Sequence, residues 1–137
     1  MFTGIITDIG KLSEIKKSDK NDTFIGIDTK WNQNFNIGSS ICCNGVCLTV
    51  VTKKIDYFGV ELSSETISKT NFQYMNLNDK INLEKSLKIG DELGGHNVTG
   101  HVDGMAKLSN IMKIKSSFEL WFEVSESIII FLAEKGS

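Results

Sequence analysis

The 137-residue chain has no proline, no arginine, three cysteines and two histidines, and each scarcity removes a class of explanation. Without proline, reversals have to be made by Gly, Asn, Asp and Ser. All 15 basic residues are lysine, so no guanidinium fork is present for bidentate phosphate recognition, and against 17 acidic residues the net charge is −2. That balance argues against nucleic acid as a partner. The longest purely apolar run, Ile128 to Ala133, is far below the roughly 20 residues of a membrane span. The N-terminus has no basic stretch leading into an apolar one, so a cytoplasmic protein without a membrane partner is expected. Cys42, Cys43 and Cys47 lie within six positions, too few and too close for a secreted disulfide framework, and read as reduced thiols. What is present, 40% hydrophobic and 23% charged residues, suits one ordinary folded domain and excludes disorder or a coiled coil.

The chain repeats itself. Shifting FTGIITDIGKLSEIKK (2–17) by 96 positions onto VTGHVDGMAKLSNIMK (98–113) gives seven identities in sixteen positions: Thr3/Thr99, Gly4/Gly100, Lys11/Lys107, Leu12/Leu108, Ser13/Ser109, Ile15/Ile111 and Lys17/Lys113. At a shift of 98, Gly38-Ser39 falls on Gly136-Ser137. Duplication explains this better than chance. In the first copy, short alternating runs separated by turn residues predict strands near 4–16, 23–29, 39–43, 46–53, 56–63 and 79–85. Asp19 to Asp22 is a turn cluster, Asn44-Gly45 is the strongest hairpin signal, and Asp56 opens another reversal. A short helix is expected near 64–72, capped by Ser63 or Ser64, with Glu65 in its first turn.

Six strands and one helix imply a small closed barrel, which leaves no sheet edge exposed. The polar, Gly-rich stretch 86–95 reads as a connector, dividing the chain into a first barrel over 1–86, a connector over 87–96 and the opening part of a second barrel over 97–137. By the first copy's layout, the second stops before the strand–turn–strand that Ser40 to Val51 supplies, about half of what closure needs.

Three clusters could carry chemistry. The three thiols flank the Asn44-Gly45 turn; each is readable as a small buried apolar residue. Neighbouring Cys42 and Cys43 point to opposite strand faces and cannot both ligate one ion, so no metal site is expected. Cys47 differs in lying beside Leu48-Thr49 at a barrel mouth. GGHNVTGH (94–101) holds both histidines, and His101 occupies the repeat position of Ile5, directly after the shared Thr-Gly. A lone His in a Gly-rich stretch is commonly a hydrogen-bonded loop residue, but a polar residue at a duplicated apolar position suggests divergence of role. Gly4 and Gly100 allow close approach to a flat ligand. ELSSET (61–66) concentrates hydroxyls and backbone donors at a helix start, either as ordinary capping or as a cradle for a polyol or uracil-like ring.

Taken together, MFTGII, then GS-x-I-x-x-NG-x-CLTV, then SSET, then GGH-x-V-x-GHVDG on the duplicated half, resemble the riboflavin synthase (lumazine-binding barrel) family over the whole chain. The resemblance implies an all-β fold of tandem six-stranded Greek-key barrels with short helices, the second barrel incomplete here. It also implies homotrimers of longer chains, with composite sites between the first barrel of one subunit and the second barrel of another. The implied reaction is a transferase step of riboflavin biosynthesis, the dismutation of two 6,7-dimethyl-8-ribityllumazines to riboflavin and 5-amino-6-ribitylaminouracil, with no cofactor.

By resemblance, the first barrel's ligand contacts are Gly4, Ile5, Ile6, Cys47, Leu48, Thr49, Glu61, Leu62, Ser63, Ser64, Glu65 and Thr66. Gly100, His101, Val102 and Lys135 belong to the second barrel's share. Cys47 and His101 are the implied acid–base groups, with Ser40 and Phe2 the counterparts of family motif residues. Members of the family are longer, so this chain alone is expected to bind lumazine or riboflavin with little turnover and to self-associate, as a dimer through first-barrel surfaces. The alternative is a non-catalytic lumazine- or flavin-binding protein.

Overall fold

The computed structural model describes residues 1–17, 22–31 and 34–136. All of the turn cluster expected over 19–22 except Asp22, and also Ser137, lie outside these. The described chain forms two compact units, Met1–Val102 and Asp103–Ser137.

In the first unit, β1 (Asp8–Lys17), β2 (Thr23–Asp28), β3 (Ser40–Cys43), β4 (Val46–Lys54), β5 (Tyr57–Leu62) and β6 (Lys80–Lys85) close into a barrel. Their order is β1-β2-β5-β4-β3-β6, with every pair antiparallel. This is the expected Greek-key barrel. Alternation builds it: along β4, Val46, Leu48 and Val50 are buried while Cys47 and Thr49 turn outward. The same rule sends Ile25, Ile27, Phe58, Val60, Leu62, Ile81 and Leu83 into one core. Asn44 (φ 49°) and Gly45 (φ 87°) form the two-residue β3–β4 turn, where both central residues need positive φ. Asp56 takes φ 54° at the β4–β5 reversal.

Two local expectations shift. The predicted first strand starts at residue 4, but β1 begins at Asp8, because Thr3 and Gly4 are drawn to Glu84 and Gly4 takes φ +82°. The helix predicted over 64–72 is α1 (Ser64–Lys69) followed by a 3-10 turn, Asn71–Tyr74. Thr70 between them is extended (φ −131°, ψ 164°), and its hydroxyl bonds back to the Thr66 carbonyl at 2.7 Å, a side-chain bond that competes with helix continuation.

The sequence put a connector at 87–96, whereas the compact units divide after Val102. The reason is that the chain returns to the first barrel. Val98 pairs antiparallel with Phe2, exchanging N–H···O bonds of 2.8 and 3.0 Å, and Cys47 N–H donates to the Gly100 carbonyl at 2.8 Å.

In the second unit, β7 (Lys107–Ile114) pairs, among the described residues, with β8 (Ser117–Glu123) alone, followed by a helical turn, α2 (Glu126–Ile129). Within Asp103–Gly136 every described residue is exposed or half-buried, Phe118, Trp121 and Phe131 being 63%, 56% and 77% exposed. Residues that align at a shift of 96 in the sequence share local geometry. Gly4 and Gly100 have φ +82° and +76°, and the residue after each (Ile5, His101) donates its N–H to the preceding threonine hydroxyl. β1 and β7 each bulge at the matched serine, Ser13 or Ser109, whose hydroxyl donates across the strand pair to the Gly26 or Trp121 carbonyl.

Phe58 is fully buried and meets Phe35 edge-on at 5.4 Å between centroids. Phe58→Ala is expected to lower barrel stability by about 3–5 kcal/mol, read as a shift of the urea midpoint at unchanged slope.

Candidate functional site

The outer face of the β3–β4 hairpin carries two cross-strand pairs, Ser40 with Thr49 and Cys42 with Cys47. Glu84 of β6 lies opposite Cys42 on its other side, so a row Glu84–Cys42–Cys47 crosses three strands. Glu84 is buried and its carboxylate accepts three hydrogen bonds: from Thr3 N (2.6 Å), from the Thr3 hydroxyl (2.7 Å) and from Gly4 N (3.1 Å). These fix the N-terminal segment, and Phe2, fully buried, fixes Val98 through their bridge.

Gly100 is thereby set against Cys47. A Cβ on Gly100 would stand 2.8 Å from Cys47 Cβ and 2.9 Å from its N, and its φ of +76° also favours glycine. His101 and Val102 follow, Val102 half-buried against the core cluster. Across from them stands α1. Ser63 caps it, its hydroxyl accepting from Thr66 N at 3.1 Å, and Lys69 pairs with Glu65 at 2.8 Å. The result is a cleft of about 260 Å³ lined by Val46 and Cys47 of β4, by Glu65, Thr66, Lys69 and Thr70 of α1 and its end, and by Gly100, His101 and Val102.

Cys47, Glu65, Thr66, Gly100, His101 and Val102 of the sequence-derived set thus meet in one place. Gly4, Ile5 and Ile6, assigned with Cys47 to the first barrel's contacts, do not line this cleft. Ile5 instead lines a larger one of about 610 Å³, together with Thr3, Thr7, Trp31, Glu84 and Lys85. Lys85 Nζ sits 4.6 Å above the Trp31 ring there, and the thiol and His101 are absent from its lining. The smaller cleft is therefore the better candidate. Leu48 and Leu62 are core residues; Thr49, Glu61, Ser63 and Ser64 are exposed near the cleft's elements without lining it. Ser40 is half-buried, and Lys135 lies in the second unit with φ +59°. Lys69 and Thr70 were not singled out from the sequence, although their i,i+4 spacing from Glu65 and Thr66 places them on the same helical face.

A closed antiparallel barrel with a polar cleft at one mouth defines a small-ligand-binding barrel. The chain belongs to the lumazine binding domain family, which matches residues 3–86. It is 40% identical over 143 residues to the riboflavin synthase of Brucella abortus, covering all of this chain and 70% of that one. To the riboflavin synthase of Photobacterium phosphoreum it is 38% identical over 138 residues, covering 63% of that protein. Among solved structures, LumP complexed with riboflavin superposes with a TM-score of 0.81 at 26% identity, over 95% of this chain and 71% of that one. LumP complexed with 6,7-dimethyl-8-(1'-D-ribityl) lumazine gives 0.80 at 25% identity, over 96% and 71%.

Burial, with the Glu84 carboxylate alongside, pushes the Cys42 thiol up to about 11, and burial pushes Cys43 well above the ordinary thiol range. Both stay protonated at neutral pH, whereas Cys47 is partly exposed. Alkylation of the native protein at pH 8, followed by intact mass, should therefore modify one site quickly and the other two only on unfolding. Cys47→Ala should abolish the fast phase.

Proposed function

We propose that the Cys47–Thr66–His101 cleft binds the ring of one 6,7-dimethyl-8-ribityllumazine or riboflavin, and that the chain acts as part of a riboflavin synthase. The observation that carries this reading is the meeting of Cys47, the α1 hydroxyl face and the extended stretch Gly100-His101-Val102 around one cleft. Thr66 and backbone donors suit a uracil-like edge, Val102 suits the ring face, and the absent side chain of Gly100 leaves room for a flat group. At about 260 Å³ the cleft lies below the roughly 300–1,000 Å³ range of whole-ligand pockets. It takes one ring system, not two stacked ones.

Dismutation moves a four-carbon unit from one lumazine to another, giving riboflavin and 5-amino-6-ribitylaminouracil. A proton has to leave the C7 methyl of one molecule while C7 of the other accepts a nucleophile. Cys47 and His101, which meet in the cleft, are the groups assigned to these roles. Holding two rings face to face is worth as much as about 7–11 kcal/mol, and the duplicated half supplies only the β7–β8 hairpin among the described residues. The relatives are longer than this chain, which by itself binds one ring and turns over little.

The seating of Gly4, Ile5 and Ile6 outside the first cleft fits the duplication. Phe2 pairs with Val98, its own repeat counterpart, so each copy's Thr-Gly segment crosses the other's. On this reading His101-Val102 serve the first barrel, and Ile5-Ile6 serve the equivalent cleft of a second. A non-catalytic flavin-binding role is the second reading, favoured by the likeness to LumP complexed with riboflavin.

Titration of lumazine fluorescence is expected to show saturable binding with one site per chain. Gly100→Ala should weaken it about ten-fold or more, because the methyl meets Cys47 and the residue loses its preferred φ. Incubation with lumazine should yield almost no riboflavin. No binding would refute the site, and turnover matching a full-length relative would refute the need for a second ring pocket.

A further inference from the structure

Cys42 and Cys47 stand directly opposite each other on β3 and β4. Their backbone hydrogen bonds point away from one another. Cys47 N–H goes outward to Gly100, and Asn44 N–H, two residues on from Cys42 and just past the end of β3, goes to Asn82 on the opposite neighbour. By strand alternation Cys42 N–H also faces β6, so the cysteines form a non-hydrogen-bonded pair. Such pairs bring Cα atoms to about 4.5 Å, within the roughly 4.4–6.8 Å that a disulfide spans. Both side chains project from the outer face, since Ile41, Cys43, Val46 and Leu48 fill the core. Cys43, fully buried on the inner face, is excluded from the pairing.

We propose that Cys42 and Cys47 form a reversible disulfide on exposure to a peroxide, and that the bond withdraws the Cys47 thiol from the cleft and weakens ligand binding there. The gating half rests on the proposed function; the disulfide itself does not. Partly exposed Cys47 meets the oxidant. Its thiolate attacks one peroxide oxygen, giving a sulfenic acid and releasing hydroxide, which takes the thiol's proton to become water. The Cys42 sulfur then attacks the sulfenic sulfur; the S–S bond forms, the S–O bond breaks, and the Cys42 proton leaves with the departing hydroxide as a second water. Two thiols are oxidised by two electrons and one hydrogen peroxide is reduced. Cys42 has no place in the cleft's lining, so its substitution separates the bond from the ligand contacts.

The whole chain is treated with hydrogen peroxide, quenched with catalase and denatured, and its free thiols are counted by alkylation and intact mass. The expected count falls from three to one, with a loss of about 2 Da before alkylation and full recovery with dithiothreitol. Cys43→Ala should still lose two thiols. Cys42→Ala, with Cys42→Ser as a second variant, should lose none to a disulfide and instead gain oxygen in steps of about 16 Da at Cys47. In parallel, lumazine binding should weaken at least ten-fold on oxidation of the unsubstituted chain and return in full with dithiothreitol, while the reduced Cys42 variants should bind as the reduced unsubstituted chain does. Loss of two thiols in the Cys42 variants, or stepwise oxygen addition without a 2 Da loss in the unsubstituted chain, would overturn the disulfide. A disulfide that leaves measured lumazine binding intact would overturn the gating. A chain that binds no lumazine even when reduced would refute the proposed function, while the thiol count still decides the bond.

Discussion

One buried carboxylate sets the geometry on which the cleft depends. Glu84 sits on the outer face of β6, where a lone charge would be solvated, yet it is buried because the N-terminal segment lies across it and supplies three donors. Its burial is tolerable only with those donors in place, and the donors have no other partner as strong. Fixing Thr3 and Gly4 fixes Phe2, which pairs with Val98, and Gly100 then closes on the Cys47 N–H two residues later. The cleft wall is thus a consequence of a carboxylate hydrogen-bonded to Thr3 and Gly4, 81 and 80 residues away in sequence.

That chain of contacts explains why the six barrel strands alone do not close the cleft. The β4 mouth offers Cys47, and α1 offers Thr66 and the Glu65–Lys69 pair, but the remaining side comes from residues beyond the 3–86 span of the lumazine binding domain. Phe2 and Val98, which align at a shift of 96 in the sequence, pair with each other, and the stretch that follows Val98 completes the cleft. Separating that stretch from the barrel would leave backbone groups unpaired on both sides.

Features governed by local rules were legible in the sequence. Alternation located the six barrel strands to within a few residues, Asn44-Gly45 announced its turn, and Ser63 its cap. The thiol, the hydroxyl cluster and His101 were all marked as candidates. What local rules missed was set by distant contacts. Glu84 in KINLEK follows the inward-facing Leu83 and so reads as an exposed outer residue; only the folded N-terminal segment buries it. Gly4, Ile5 and Ile6 were grouped with the first barrel's contacts by resemblance, and Ile5 lines the neighbouring cavity beside Thr3 and Glu84. The break at Thr70 depends on a side-chain bond to Thr66 that propensity does not register.

The crossing is tested most directly by amide chemical-shift mapping of the isotopically labelled chain during a titration with 6,7-dimethyl-8-ribityllumazine. The expected result is a cluster of perturbed amides at Cys47, Thr66, His101 and Val102, with those of Ile5, Ile6 and Thr7 unmoved. Perturbation of Ile5 and Ile6 together with Cys47, and silence at His101 and Val102, would contradict it.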